Sequence, residues 1–306
     1  MSKKHRMKMT LGERIFVSTN TVLLAIVFLI TLYPILYVIS ASISAPSAVA
    51  SGRMILLPVD PSLESYRLVL KYKDIWIGYA NTIFYTVIGT MLQLAVTLPA
   101  AYALSRKDMQ GRGFLMVLFI ITMYFSGGLI PGYLNMNDFG LINNRASIVV
   151  LGLVNTYNLI VARTFFANSI PWELQEAAYL DGCSTFQVFR KIVLPLSSPI
   201  IVVLTLYYGV AHWNEYFNAM IYLRDRNLFP LQIFLKEILT QSQLSADALM
   251  SGGYTAEEIS MMEAMGEAAD RMKYAIIVVS TAPMLLIYPR LQKYFAKGVM
   301  IGSVKG

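Results

Sequence analysis

The groups that could do chemistry crowd into one apolar stretch. Tyr207, Tyr208, His212, Trp213, Asn214, Glu215 and Asn218 follow one another there. On a helix, His212 and Glu215 stand at i and i+3 and share a face, a spacing that could hold a metal ion. A metal needs more donors. The other histidine is His5, at the far end of the chain, and Cys183 is the single cysteine, so no metal site and no internal disulfide is expected. Glycoside hydrolysis needs a pair of carboxylates flanking a bond, and Glu215 stands alone in its apolar surroundings. No catalytic residue is assigned. The phosphate-loop pattern G-x-x-x-x-G-K-[S/T] is missing from the sequence, so the chain is expected to bind no cofactor itself. Binding is the chemistry that remains. An aromatic face stacks on a sugar ring while amides and carboxylates take its hydroxyl hydrogen bonds, so the set suits carbohydrate. A polar clamp between two helices would use the same residues.

The elements that hold these groups are expected to lie in a membrane. Of 306 residues, 56% are hydrophobic and only 14% charged, too few to cover a water-soluble globule. Long uncharged apolar runs recur, which excludes an ordinary soluble enzyme and a disordered chain. They predict an all-α polytopic protein with six transmembrane helices at about 15–44, 75–104, 113–134, 146–166, 195–223 and 272–291. A signal peptide is the rival reading of the first. Its apolar run is too long for that, and Tyr33-Pro34 stands where small cleavage-site residues would be needed. Gly127-Gly128 and Pro131-Gly132 should break the later half of the third span. Glu215 is the one acid inside a span, and on the fourth, Asn155, Tyr157 and Asn158 are further candidates for a polar path.

Charge sets the expected orientation. With the N-terminus (1–14) inside, the inner segments hold 14 Lys/Arg and the outer ones 10, while acids number five inside and twelve outside. The short loop bearing Arg106, Lys107 and Arg112 weighs most, because the rule counts basic residues near helix ends. The net charge of +7 is thus read as topology, and no nucleic-acid partner is expected. Two outer segments are long. Residues 45–74 should include a short interfacial helix over Leu63 to Lys73, and 224–271 an acidic surface helix over Glu257 to Asp270.

Between the fourth and fifth spans, a loop over 171–192 carries the most constrained spacing. Ser169 or Pro171 can start a helix whose first turns hold Glu173 and Glu176, favourable at the positive end of the helix dipole. Ala177 and Ala178 thin one face, and Gly182 permits a sharp turn. Thr185 to Lys191 can form a second helix presenting Phe186 and Phe189, and Pro195 then suits the first turn of the next span. The product is a helix–turn–helix knob.

This loop resembles the EAA loop of ABC-importer permeases, E-A-A-x-x-x-G followed by I-x-L-P. Glu176-Ala-Ala-Tyr-Leu-Asp-Gly182 and Ile192-Val-Leu-Pro195 match it, with Asp181 and Phe189 in the expected places; Cys183 replaces a smaller residue. Over nearly its whole length the chain is similar to the carbohydrate-importer permeases of maltose type, and most to the branch named for lipoprotein or polysaccharide and oligosaccharide import. Tyr33-Pro34, Asn81-Thr82, Trp213-Asn214-Glu215-Tyr216, and the tail Lys297-Gly298 with Gly302-Ser-Val-Lys-Gly306 carry that likeness.

The resemblance implies a permease subunit in a bacterial plasma membrane, both termini (1–14 and 292–306) cytoplasmic. Its partners would be a homologous second permease, two ATPases using ATP and magnesium, and an extracytoplasmic sugar-binding protein. Glu176, Ala177, Ala178, Asp181, Gly182, Phe189, Leu194 and Pro195 would couple it to the ATPases. Tyr208, His212, Trp213, Asn214, Glu215, Asn218, Asn155 and Tyr157 are the candidates for the sugar path. The external segment 224–271 would meet the binding protein, or pack as a solvated helix on its own chain. The alternatives are an importer of a non-sugar solute and an ion-driven carrier. The second predicts coupling acids in several spans.

Overall fold

In a computed structural model, residues 10–251 and 255–302 are described, with side chains left out over 242–251, 291–302 and at a few positions of the last helix. The expected inner start up to residue 9 and the tail residues 303–306 lie outside the described residues. Helices account for the described secondary structure. In order they are α1 (Leu11–Ser42), α2 (Pro46–Ala50), α3 (Glu64–Lys71), α4 (Lys73–Ser105), α5 (Arg112–Tyr124), α6 (Leu129–Asp138), α7 (Arg145–Val150) and α8 (Thr156–Ser169). Then come α9 (Trp172–Leu180), α10 (Thr185–Val188), α11 (Leu194–Leu196), α12 (Ser198–Trp213), α13 (Phe217–Tyr222), α14 (Leu231–Ser251) and α15 (Ala256–Gly302). A π-turn over Phe189–Val193 joins α10 to α11.

The chain divides into two compact units. One takes α1 to α3, the later part of α14, and α15 as far as Val279. The other takes α4 to α13, the start of α14, and α15 from Ser280.

In the first unit, α1 starts on a capping box. Thr10 Oγ1 accepts from the Glu13 amide at 3.3 Å while Glu13 Oε2 accepts from the Thr10 amide at 2.7 Å. Phe16, Leu24, Phe28 and Ile30 are among its many exposed apolar side chains. Such an all-round apolar helix requires a lipid or protein surrounding.

Helix α4 organises the second unit, packing against α12 and α8. Its buried positions include Gly78, Asn81, Thr82, Tyr85, Gly89, Gln93, Thr97, Ala101 and Tyr102, a stripe mostly at spacings of three and four. That stripe carries the polar residues, whereas Ile83, Val87, Met91 and Leu92 face outward. The inversion is what a helix in hydrocarbon needs, since polar groups must find partners inside the protein. Asn81 donates to the carbonyls of Asn227 and Phe229 at 2.7 and 3.0 Å, and Thr82 Oγ1 accepts from the Leu231 amide at 2.8 Å.

Two expected spans are bent. Phe125 to Gly128 separates α5 from α6 with a 114° change of direction, whereas Pro131, which cannot donate, sits harmlessly in the first turn of α6. The second bend, 81°, falls at Ser197 between the segment ending at Leu196 and α12. By length and apolar content, α1 and α4 can each cross a membrane, and each bent pair would suffice as one broken span.

Candidate functional site

Two constellations form in the second unit. The first is the 171–196 segment. Helix α9 ends in a Schellman motif: Cys183 N–H bonds to the Ala178 carbonyl at 2.9 Å and Gly182 N–H to the Tyr179 carbonyl at 3.0 Å. Gly182 occupies φ +80°, which side chains with a Cβ resist. Ser184 and Gln187 then make a capping box that starts α10. Pro195 cannot donate into the helical ladder, and ahead of it the turn over Phe189–Val193 widens to i→i+5 spacing.

The knob has an inner and an outer surface. Ala178, Val188, Phe189 and Val193 are buried against Leu98, Ala101, Tyr102, Phe166 and Ile170, and the Phe189 ring stacks on Tyr102 at 5.2 Å. Leu194 packs on the same core from a half-buried position. Glu176, Ala177, Asp181, Gly182 and Pro195 are exposed. Glu176 accepts a hydrogen bond from the Trp172 indole at 2.7 Å. The two neighbouring alanines thus face opposite ways, and so do the two phenylalanines: Phe186 is 68% exposed, Phe189 only 7%. With Leu180, 89% exposed, Phe186 leaves an apolar outer surface beside Glu176 and Asp181.

The second constellation is an open cavity of about 290 Å³ lined by α4, α7, α8, α12 and the segments 151–155 and 215–218. Tyr208, His212, Glu215, Asn218 and Asn155 line it, and so do Tyr207 and Asn158. Trp213, Asn214 and Tyr157 do not. Trp213 is buried, donating its indole N–H to the Ser280 carbonyl at 3.0 Å and meeting the Tyr79 ring edge-on. Asn214 donates to the Val210 carbonyl at 3.0 Å, and Tyr157 is exposed outside the cavity. Gln93 was missed. Its side-chain Oε1 meets His212 Nε2 at 3.1 Å and its Nε2 donates to the Gly152 carbonyl at 3.0 Å. An amide in an otherwise uncharged apolar span was the signal that could have found it.

Close packing places these groups. A Cβ built on Gly89 would overlap the His212 ring, so only glycine lets α12 approach α4 there. Tyr208 pairs with the Thr97 hydroxyl at 2.8 Å. Asn155 caps α8, accepting from the Asn158 amide at 3.0 Å. Both Glu215 oxygens accept from Asn218, from its amide and its side chain, each at 2.9 Å. Glu215 is the one carboxylate on a wall otherwise made of amides, phenols, an imidazole and apolar groups. Such a wall offers donors, acceptors and ring faces to a neutral polyhydroxylated ligand. The first unit has two open hollows of about 160 and 370 Å³ that share Asp270 and Arg271, and there Arg271 already bonds to Glu64 and Glu267.

The chain matches the model of the family "binding-protein-dependent transport system inner membrane component" over residues 75–301. It is 39% identical over 278 residues to the polygalacturonan/rhamnogalacturonan transport system permease protein YtcP of Bacillus subtilis, covering 91% of this chain and 94% of that one. Protein LplC of the same organism is 37% identical over the full length of both chains. The crystal structure of a bacterial ABC transporter involved in the import of the acidic polysaccharide alginate contains a chain 38% identical, with a TM-score of 0.82. That match covers 94% of this chain and 99% of the other.

Proposed function

The chain belongs to the family of binding-protein-dependent transport system inner membrane components, and on that premise we propose that it is a permease subunit importing an oligosaccharide. Being of this family, it is a membrane component of an ABC importer and not the ATPase. Hydrolysis of ATP with magnesium belongs in our reading to two separate subunits, seated under this permease and a homologous second one. An extracytoplasmic binding protein delivers the sugar. The names of the relatives support a carbohydrate cargo, and the cavity's phenols and amides are compatible with one.

The observation that carries the coupling role is the two-faced knob. One face is anchored in the packed core below α4, and the other offers Leu180 and Phe186 to a partner. We assign Glu176, Ala177, Asp181, Gly182 and Pro195 to docking on an ATPase. Ala178, Phe189 and Leu194 carry its movement inward. We read six spans from the apolar runs, and inner termini and a cytoplasmic knob from the basic loop at Arg106, Lys107 and Arg112. Alternating access then tilts packed helices around the cavity as rigid bodies. Of the sugar-path candidates, Tyr208, His212, Glu215, Asn218 and Asn155 meet the cargo. Trp213, Asn214 and Tyr157 support the surrounding helices or face other chains. Lipid covers α1.

The test is ATP-dependent uptake of labelled oligosaccharides, acidic and neutral, into proteoliposomes holding the assembled transporter and its binding protein. Native protein should accumulate sugar. Gly182→Val should abolish uptake while the complex still assembles. Uptake without ATPase subunits would instead support the ion-driven carrier, and uptake unchanged by Gly182→Val would remove the coupling role from the knob.

A further inference from the structure

By sequence alone Arg106 is one of three basic residues in a short loop. Its surroundings are those of a mechanical joint. It follows α4 directly, and its side chain is only 12% exposed. Nε donates to Asp108 Oδ1 at 2.9 Å, and Nη2 reaches the other carboxylate oxygen. Nη1 donates to the Tyr102 hydroxyl at 3.3 Å and to the Tyr179 hydroxyl. The guanidinium carbon also lies 5.4, 5.8 and 5.9 Å from the ring centres of Tyr179, Tyr102 and Trp172. Tyr102 in turn donates its hydroxyl hydrogen to Gln175 Oε1 at 2.9 Å.

The end of α4 therefore grips Trp172, Gln175 and Tyr179, residues spaced by three and four on one stripe of α9. Leu174, Ala177 and Leu180, on other faces of the same helix, are exposed. Topology alone needs a positive charge, which lysine supplies as well. A planar guanidinium can do what lysine cannot: donate in several fixed directions while its faces rest on rings. The Asp108 carboxylate, with the Tyr179 and Tyr102 hydroxyls, holds the Arg106 pKa above even its ordinary high value, despite the opposing effect of burial. The joint stays charged throughout the working pH range.

We propose that Arg106 is a positioning residue that makes α9 and the inner end of α4 move as one body, so that displacement of the knob reaches the cavity wall carried by α4. This rests on the coupling role proposed above for the knob. The measurement is the amount of sugar moved per ATP hydrolysed by the assembled transporter in proteoliposomes. Arg106→Gln should lower that ratio about tenfold, with the complex recovered in normal amount and hydrolysis within about twofold of native. Arg106→Lys should restore less than about half of it. Lys107→Gln removes the same charge from the same loop at an exposed position outside the joint, and should leave the ratio unchanged.

An unchanged ratio in Arg106→Gln overturns the inference. So does an equal loss in Lys107→Gln, which would assign the effect to loop charge. A fall in uptake and hydrolysis that only follows the amount of complex would make the residue structural and overturn it too. If Arg106→Gln does not assemble, Tyr102→Phe with Tyr179→Phe keeps charge and rings while deleting both hydroxyl acceptors, and should lower the ratio several-fold. Failure of the underlying reading is separately visible, because Gly182→Val would then leave uptake intact.

Discussion

The knob over 171–196 and the cavity beside Glu215 are built by opposite strategies. The knob is local: its helix stop, its turn and its second start come from consecutive residues, each satisfying its neighbour's backbone groups. The cavity is non-local. Its wall draws on α4, α7, α8 and α12, and the polar contacts that join these helices reach across 59 residues (Gln93 to Gly152) and 119 (Gln93 to His212), beside local ones such as Glu215 to Asn218. A local device keeps its shape while its surroundings move, which suits a part that transmits displacement. A wall assembled from several helices changes shape whenever they shift, which fits the alternating access proposed above.

Substitutions can break this contrast. The largest effect should come from Phe189→Ala, which empties the contact with Tyr102 at the knob's root and should cost about 3–5 kcal/mol. Thermal unfolding of the purified complex checks it, and a variant as stable as native would mean the knob is not rooted in the core. Next is Gly89→Leu. Even its Cβ would meet the His212 ring, so overpacking of about 1–3 kcal/mol should lower the unfolding temperature and distort the cavity. Gly182→Val is the instructive partner. Its Cβ would meet nothing within 4 Å, so its cost is backbone strain alone and transport should suffer far more than stability. Comparable unfolding temperatures for the two variants would erase the distinction.

Smaller effects sharpen it. Asn218→Ala deletes one side-chain donor from Glu215 and alters the cavity wall. It should raise the uptake KM by about two- to tenfold without a change in unfolding temperature, as fits one hydrogen bond. Smallest is the pH response of the joint below α4. The Arg106 guanidinium beside Asp108 holds its carboxyl below the ordinary value of 3.8. Its contribution is therefore complete above that ordinary value and is lost as pH falls through the lower, folded-state one. Half-exposed as it is, Asp108 should contribute less than about 1 kcal/mol. Native protein and Asp108→Asn should differ in unfolding temperature near neutral pH and converge in acid.

The helix pattern was readable where a single residue forces a local outcome. Gly182 turns the chain after α9, and Gly127-Gly128 interrupts the third expected span. Pro131 misled, because a proline in a first helical turn breaks nothing. The bend at Ser197 was also hidden: Pro195 and Pro199 both suit helix starts, and spacing does not say which of them begins the long helix. For the site, residue type proposed Tyr208, His212, Trp213, Asn214, Glu215 and Asn218 together, yet Trp213 and Asn214 spend their donors on backbone carbonyls away from the cavity.

By itself, then, the sequence determined the helical and apolar character of the chain, the turn at Gly182, and the charge bias of its loops. These depend on backbone conformation and on solvent preference, which each residue carries with it. Tertiary structure decided which way Ala177 and Ala178, or Phe186 and Phe189, would face, and that Gln93 would meet His212 across Gly89. It also decided that Arg106 would grip α9 rather than merely mark a loop. Those outcomes depend on which helix surfaces touch, and contact between residues far apart in the chain is fixed only when the helices pack.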